Sequence, residues 1–581
     1  MRGRRRRAAT AVVVCAGIVL AGCSGLPRSS SVGQGLEIGA PNNLRPIRLQ
    51  FEAPPAGAGP VEIVRGFLNA SWSVEDDFAA ARAYLAPDTT WDPRAQVVVY
   101  PGSEDLLVDG EGEQVSLLAR TQAKVTRDGR LGVAEEPEEA TLTLRQVDGE
   151  WRIAQLPDGF GVWLSRFYFE QAYRSLTVTY ADEGAGTLLV DNRWFPLGSG
   201  LATTIARTQL LPVPGYLEDT VGTGFPEGTT LAVDSVPVVD QVARIELSRE
   251  ALTMTTDQRR AAWAQMLRTM RQVPGVSAVE LSVDGGPLQV LGTSVLPTST
   301  SELGYSTPTP LPAAIVVRDR TYLTAMDFTG WLRGGESQRP VEANLPDVDE
   351  RWGHLAVSSD LDDVAAVDDA RTQLRRWRDG EEGSPARFGS SLTEPAFDAS
   401  GRLWVAGVGS DGASRIWWFD PVSGPTAAPT SLPGVEDLGG RVIAVKPAPG
   451  GRRLAIAVEK PSGNQVILVG GVGEAADGTP SGLTSPWAVA TGFSDLRDLT
   501  WVDETSLATL AALEGEDVAP HIVPLGGFVE TLSRVRDPHH LVTSGSARGL
   551  VVLSGDDTVW RRVGGGWQEH GQVDDLVVPG S

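Results

Sequence analysis

The 581-residue chain is short of thiols, histidines and lysines, and each shortage removes a class of chemistry. Its two cysteines, Cys15 and Cys23, fall within the first 23 residues, so the rest of the chain has no disulfide, thiolate nucleophile or cysteine-held metal. The five histidines are His354, His521, His539, His540 and His570, so the upstream 353 residues cannot build a Ser-His or Cys-His pair on their own. Lysine occurs only at Lys124, Lys446 and Lys460, and 74 acids against 50 basic residues give a net charge of -24. That acidity speaks against nucleic acid and against broad adhesion to anionic headgroups. The apolar run from Ala8 to Leu20 spans about thirteen residues, where a membrane-spanning helix needs roughly 20.

What the N-terminus does contain is ordered like an export signal: MRGRRRR, the short apolar run, then Leu20-Ala21-Gly22-Cys23. The last four residues resemble a bacterial lipobox. The resemblance implies diacylglycerol on the Cys23 sulfur and cleavage between Gly22 and Cys23, with Cys15 discarded. Two acyl chains anchor stably where one holds only reversibly. Residues 1–22 are thus expected to be a lipoprotein signal peptide, leaving the mature chain tethered to the outer face of the cell membrane with a charge of -29, the five signal arginines being lost. Residues 23–46, rich in Ser, Gly and Pro, are expected to form a flexible tether, roughly 25 Å end to end as a coil.

Length predicts three or four domains. In residues 47–181 the pattern predicts helices from Pro60 and over Phe78–Leu85, then alternating strands at Val97–Tyr100, Val115–Val125, Ala140–Val147 and Trp151–Leu156, with Asp148-Gly149 as a tight turn. Helices followed by a curved antiparallel sheet resemble an NTF2-like α+β cone. Residues 188–296 are expected to form an α/β domain with helices at Leu201–Leu211 and from Thr255 or Thr256 to Val273, ended by Pro274-Gly275. Pro226-Glu227-Gly228-Thr229, strands ending in Glu246-Leu247-Ser248, the amphipathic helix and Asp284-Gly285 look like a GerMN domain, named from spore-germination proteins.

A Ser, Thr and Pro-rich linker at 297–312 precedes an all-β region, 313–581, with no helix expected. Ala356, Phe397, Val445, Trp501 and Val542 mark a loose repeat at spacings of 41, 48, 56 and 41. Periods near 40 to 50 predict a β-propeller, of five or six blades if Thr321–Asp327 adds a strand. Gly407-Val408-Gly409-Ser410-Asp411-Gly412 spells a dinucleotide-binding pattern, but an aromatic strand follows it where a helix is required, so a hairpin turn is expected. His539 and His540 lack the spacing of a zinc site. Asp362-Asp363 and Glu381-Glu382 read as solvated turns, and Trp417-Trp418-Phe419 as core. No catalytic residue, cofactor or metal is expected.

Lipobox, cone, GerMN-like domain and propeller in this order resemble the actinobacterial lipoprotein LpqB family, most specifically at Leu20–Cys23, at LLVDNRWFPL (188–197) and from Pro226 to Ser248. The resemblance implies a non-enzymatic accessory of a two-component system. It would bind the extracytoplasmic domain of a sensor histidine kinase, MtrB, and so affect the response regulator MtrA, cell-wall homeostasis and division. The other reading is a lipoprotein that binds peptidoglycan or another cell-wall ligand with no kinase partner.

Overall fold

The computed structural model describes residues 53–581, apart from 135, 183, 291, 295, 307–313 and 581. Gly22, Cys23, Cys15 and the expected tether lie outside the described residues. Pro60 opens the first helix, Pro60–Ala70, where its missing N–H costs nothing, and the Glu62 carboxylate accepts from the Gly59 N–H at 3.1 Å. Ile63, Val64, Phe67 and Leu68 form its buried face. The second helix is shorter than expected, Ala79–Arg82, because Phe78 adopts a left-handed backbone and interrupts the turn before it.

Two four-stranded sheets complete this segment. One orders Leu131–Val133, Ala123–Thr126, Gln96–Tyr100 and Val162–Ser165, and the other Asp105–Val108, Gln114–Arg120, Pro137–Val147 and Glu150–Gln155. The strand expected over Val115–Val125 is therefore two, Gln114–Arg120 and Ala123–Thr126, divided between the sheets. Asp148 and Gly149, both at positive φ (53° and 83°), make the tight turn that the sequence predicts.

Next, Tyr173–Asp182 pairs along its length with Thr187–Pro196. Thr255 caps the helix Thr256–Met270 in a reciprocal box with Gln258, and the helix connects two parallel strands, Val242–Leu247 and Ala278–Val283. Of the run 225–248, whose alternation predicts strands ending in Glu246-Leu247-Ser248, residues 225–237 give only turns and an isolated bridge from Leu231 to Leu247. The loop before them must come close to the helix: a Cβ at Gly224 would lie 2.2 Å from the Ala262 nitrogen. The buried Gln265 and Gln209 carboxamides each donate to the Thr179 carbonyl at 2.7 Å, so the polar groups under the helix are paired.

From Ala314 the chain forms six successive antiparallel sheets. Ala356, Phe397, Val445, Trp501 and Val542 each lie in the first strand of one of five consecutive sheets, and the spacing of 56 is explained by an added strand: both Pro480–Leu483 and Trp487–Phe493 pair with Gln465–Glu474. In the sixth sheet, the late strand Asp575–Val577 pairs with the early strand Ala314–Asp319. A short helix at Phe328–Arg333, capped by the Asp327 carboxylate, corrects the expectation of none. Six residues are too few to display a helical period.

Buried polar contacts join the three segments. Asp191, with a fully buried side chain, accepts from the Tyr216 hydroxyl at 2.7 Å, and Arg193 stands 2.6 Å from its other oxygen as an ion pair without hydrogen-bond alignment. Arg193 also pairs with Asp128 of the first segment, while the Arg453 guanidinium from the sheet array donates to the Val190 carbonyl at 3.2 Å. Trp194 Nε1 donates to the Gly526 carbonyl at 2.7 Å.

Candidate functional site

The first strands of five sheets and the closing strand Asp575–Val577 stand side by side around a common axis, contacting one another in sequence. Strands in that position point every second side chain inward. These strands, or the residues just before them, bring His354, Glu394, Lys446, Asp498, His540 and Asp575 to line one cavity of about 1070 Å³. Its rim carries exposed guanidiniums, Arg320, Arg371, Arg441 and Arg497; Arg441 pairs with Glu459 at 2.9 Å and Arg497 with Asp537 at 3.0 Å.

At the base, cations and anions interleave. Lys446 Nζ donates to Glu394 Oε1 at 2.6 Å, and His540 Nδ1 lies 2.9 Å from Asp498 Oδ2 and 3.9 Å from the nearer oxygen of Glu394. Asp498 is held in place by the Leu499 and Leu541 backbone N–H groups, each at 2.7 Å. His540 Nε2 is 2.8 Å from the Leu576 carbonyl, which can only accept, so Nε2 carries a proton. Nδ1 then faces a carboxylate oxygen, and a cation, such as a second proton on the ring, has to lie between them.

Burial opposes charge on all these groups, and the neighbours decide which keep it. For Glu394 burial is outweighed by Lys446 and His540, which hold its carboxyl down to about 2. For His540 burial is outweighed by Asp498 and Glu394, which push the imidazole up to about 10. Lys446 is likewise raised against burial by Glu394 and Asp498. Asp575 goes the other way: burial, reinforced by Glu394, raises its carboxyl to about 6 despite the pull of His540. His354 is lowered by burial and by Arg371. At neutral pH the floor of the cavity is thus a set of paired charges.

Three of the five histidines singled out in the sequence, His354, His539 and His540, line this cavity. The others do not: His521 bonds Thr531 and the Ala511 carbonyl, and the His570 ring packs edge-on against Trp331. Asp363 forms a two-point pair with Arg378, and Glu382 pairs with Arg375. Trp417, Trp418 and Phe419 are buried, and residues 409–413 turn between the strands Leu403–Val408 and Ser414–Phe419. Glu394, Lys446, Asp498 and Asp575 were not singled out by sequence reasoning. For the first three a signal was available: a charged side chain stands within a few residues of a repeat marker, Glu394 before Phe397, Lys446 after Val445 and Asp498 before Trp501, as His354 and His540 stand before Ala356 and Val542.

A smaller cavity of about 150 Å³ lies between the first two segments, where Phe78, Tyr173 and Trp194 face Arg94 and Arg127. No helix among the described residues is long and apolar enough to cross a membrane.

The fold and site define a multidomain, mostly β protein whose closing module is a propeller. Three family models match it in order: "Lipoprotein LpqB, N-terminal domain" over 53–170, "Sporulation and spore germination" over 177–289, and "Lipoprotein LpqB beta-propeller domain" over 332–579. The chain belongs to the lipoprotein LpqB family. Curated relatives named "Lipoprotein LpqB" include one from Thermobifida fusca, 27% identical over 97% of this chain and 98% of its own length, and one from Cutibacterium acnes, 25% identical over 89% and 88%. One from Streptomyces coelicolor is 26% identical over 88% of each. Likeness to solved structures is low: hydrazine synthase of Kuenenia stuttgartiensis aligns over 43% of this chain and 74% of its own at 16% identity and a TM-score of 0.30.

Proposed function

We propose that this chain is a non-enzymatic lipoprotein that binds the extracytoplasmic domain of an MtrB-like sensor histidine kinase and modulates its signalling, with effects on cell-wall homeostasis and division. Residues 23–46 tether it to the outer face of the membrane through a diacylated Cys23. Residues 47–181 form an NTF2-like cone, 188–296 a GerMN-like domain, and 313–581 a propeller whose six sheets are six blades. The observation that carries this reading is the match to lipoprotein LpqB relatives over nearly the full chain. In the axial cavity His540 and Lys446 are held protonated by their carboxylate partners, so neither is a free base at neutral pH.

The test is photocrosslinking in living cells from exposed positions of the mature chain. Recovery of the sensor kinase, together with altered kinase phosphorylation when the lipoprotein is removed, supports the proposal; no kinase adduct and unchanged phosphorylation reject it. For the anchor, Cys23→Ser is expected to leave the fold intact while moving the protein from the membrane to the soluble fraction. Full membrane partitioning of that variant after cleavage would overturn the lipid assignment.

A second reading, carried from the resemblance of residues 188–296 to GerMN domains rather than from the name of the matching model, is a cell-wall ligand. Cosedimentation of the whole chain with purified wall supports it, and no retention at low salt counts against it.

A further inference from the structure

The contact between His540 Nδ1 and Asp498 Oδ2 raises a question that the salt bridges alone leave open. Since Nε2–H is committed to the Leu576 carbonyl, the Nδ1 lone pair points at Asp498 and Glu394, and a cation must sit there. A proton satisfies this requirement, and so does a metal ion. We propose that Glu394, Asp498 and His540 form a site for a divalent transition ion of the zinc class, which binds in competition with the imidazole proton.

Five observations support this. Single ligand atoms of the three residues all lie within 4.8 Å of one another. The separations of 2.9 and 3.9 Å from Nδ1 bracket the edge of a tetrahedron with bonds of about 2.0–2.1 Å, which is roughly 3.4 Å. The histidine is oriented as metal-bound histidines are, with its distal N–H on a backbone carbonyl. Lys446 occupies only one oxygen of Glu394 and leaves the other facing His540. The cavity supplies an entry path and room for water at a fourth position. One imidazole and two carboxylates suit zinc, cobalt or nickel more than magnesium or calcium, which prefer all-oxygen sites.

The balance is simple. Protonated His540 with Lys446 compensates Glu394 and Asp498; the metal takes the Nδ1 position and one proton leaves to solvent. The extra positive charge is met by Asp575, which senses both His540 and Lys446. His354 and Arg371 stand farther out on the cation side.

The experiment is zinc titration of the full-length chain purified in detergent, by calorimetry in buffers of different ionisation enthalpy. One zinc is expected per chain, with about one proton released and affinity falling roughly tenfold per pH unit of acidification. X-ray absorption should show one imidazole and carboxylate oxygens. His540→Asn and Glu394→Gln should each weaken binding at least tenfold, while His570→Asn, remote from the site, should not change it. The proton count on the unmodified chain stands even where a variant fails to fold. No saturable zinc, zinc bound without proton release, or folded His540→Asn binding as tightly as the parent overturns the proposal.

Discussion

The molecule buries charge in two places and uses it differently. At the junction of the three segments, Asp191 and Arg193 are sealed, their side chains 0% and 3% exposed, and their partners are Tyr216 and Asp128. In the axial cavity, Glu394 and His540 remain 24% and 14% exposed and face open volume. Sealed charges can only hold segments in register, because nothing can reach them. Charges on the floor of a cavity can exchange a partner for a ligand. The difference lies in access, not in residue type.

This contrast can be broken most strongly at the junction. Asp191→Ala takes from the buried Arg193 its fully buried counter-charge, leaving only the part-exposed Asp128, and should cost about 3 to 5 kcal/mol, measured by chemical denaturation. The next effect is that of pH on the axial cluster. His540 is raised from 6.5 to about 10, so its contribution to stability is fully present below pH 6.5 and is lost as pH rises through 10. Stability should fall by about 2 to 4 kcal/mol across that window, and His540→Gln should flatten the profile. Lys446→Met, which unpairs Glu394 beside open volume, should cost less than the junction variant, about 1 to 3 kcal/mol, because water and a shifted pKa relieve the carboxyl. An axial loss equal to the junction loss would erase the distinction.

The smallest effect has the opposite sign. Asp575 is raised from 3.8 to about 6, so the protonated form contributes stability below pH 3.8 that is lost as pH rises through 6. Asp575→Asn should therefore stabilise the chain by about 1 to 2 kcal/mol at pH 7.5, with the gain shrinking toward pH 4, as read from paired melts.

Much of the architecture was legible because local rules agree with the global fold. Thr255 with Gln258 marks the central helix, Asp148-Gly149 marks its hairpin, and the five repeat markers fall on first strands. What was missed has physical causes. The second helix was overextended because the left-handed backbone of Phe78 is not written in its residue type. Residues 225–237 have the alternation of a strand but little pairing partner. The axial site escaped motif reading because its ligand atoms come from strands some 40 to 100 residues apart, so no local spacing encodes them. His539 and His540 are adjacent in sequence, yet only His540 joins Glu394 and Asp498.

The functional reading rests on the partner, and the most direct measurement is phosphorylation of the sensor kinase reconstituted in vesicles with and without the lipidated chain. The account predicts that the chain binds the kinase ectodomain and shifts its phosphorylation rate, and that Cys23→Ser, lacking the tether, needs a higher concentration for the same shift. An unchanged rate with no captured complex would contradict it.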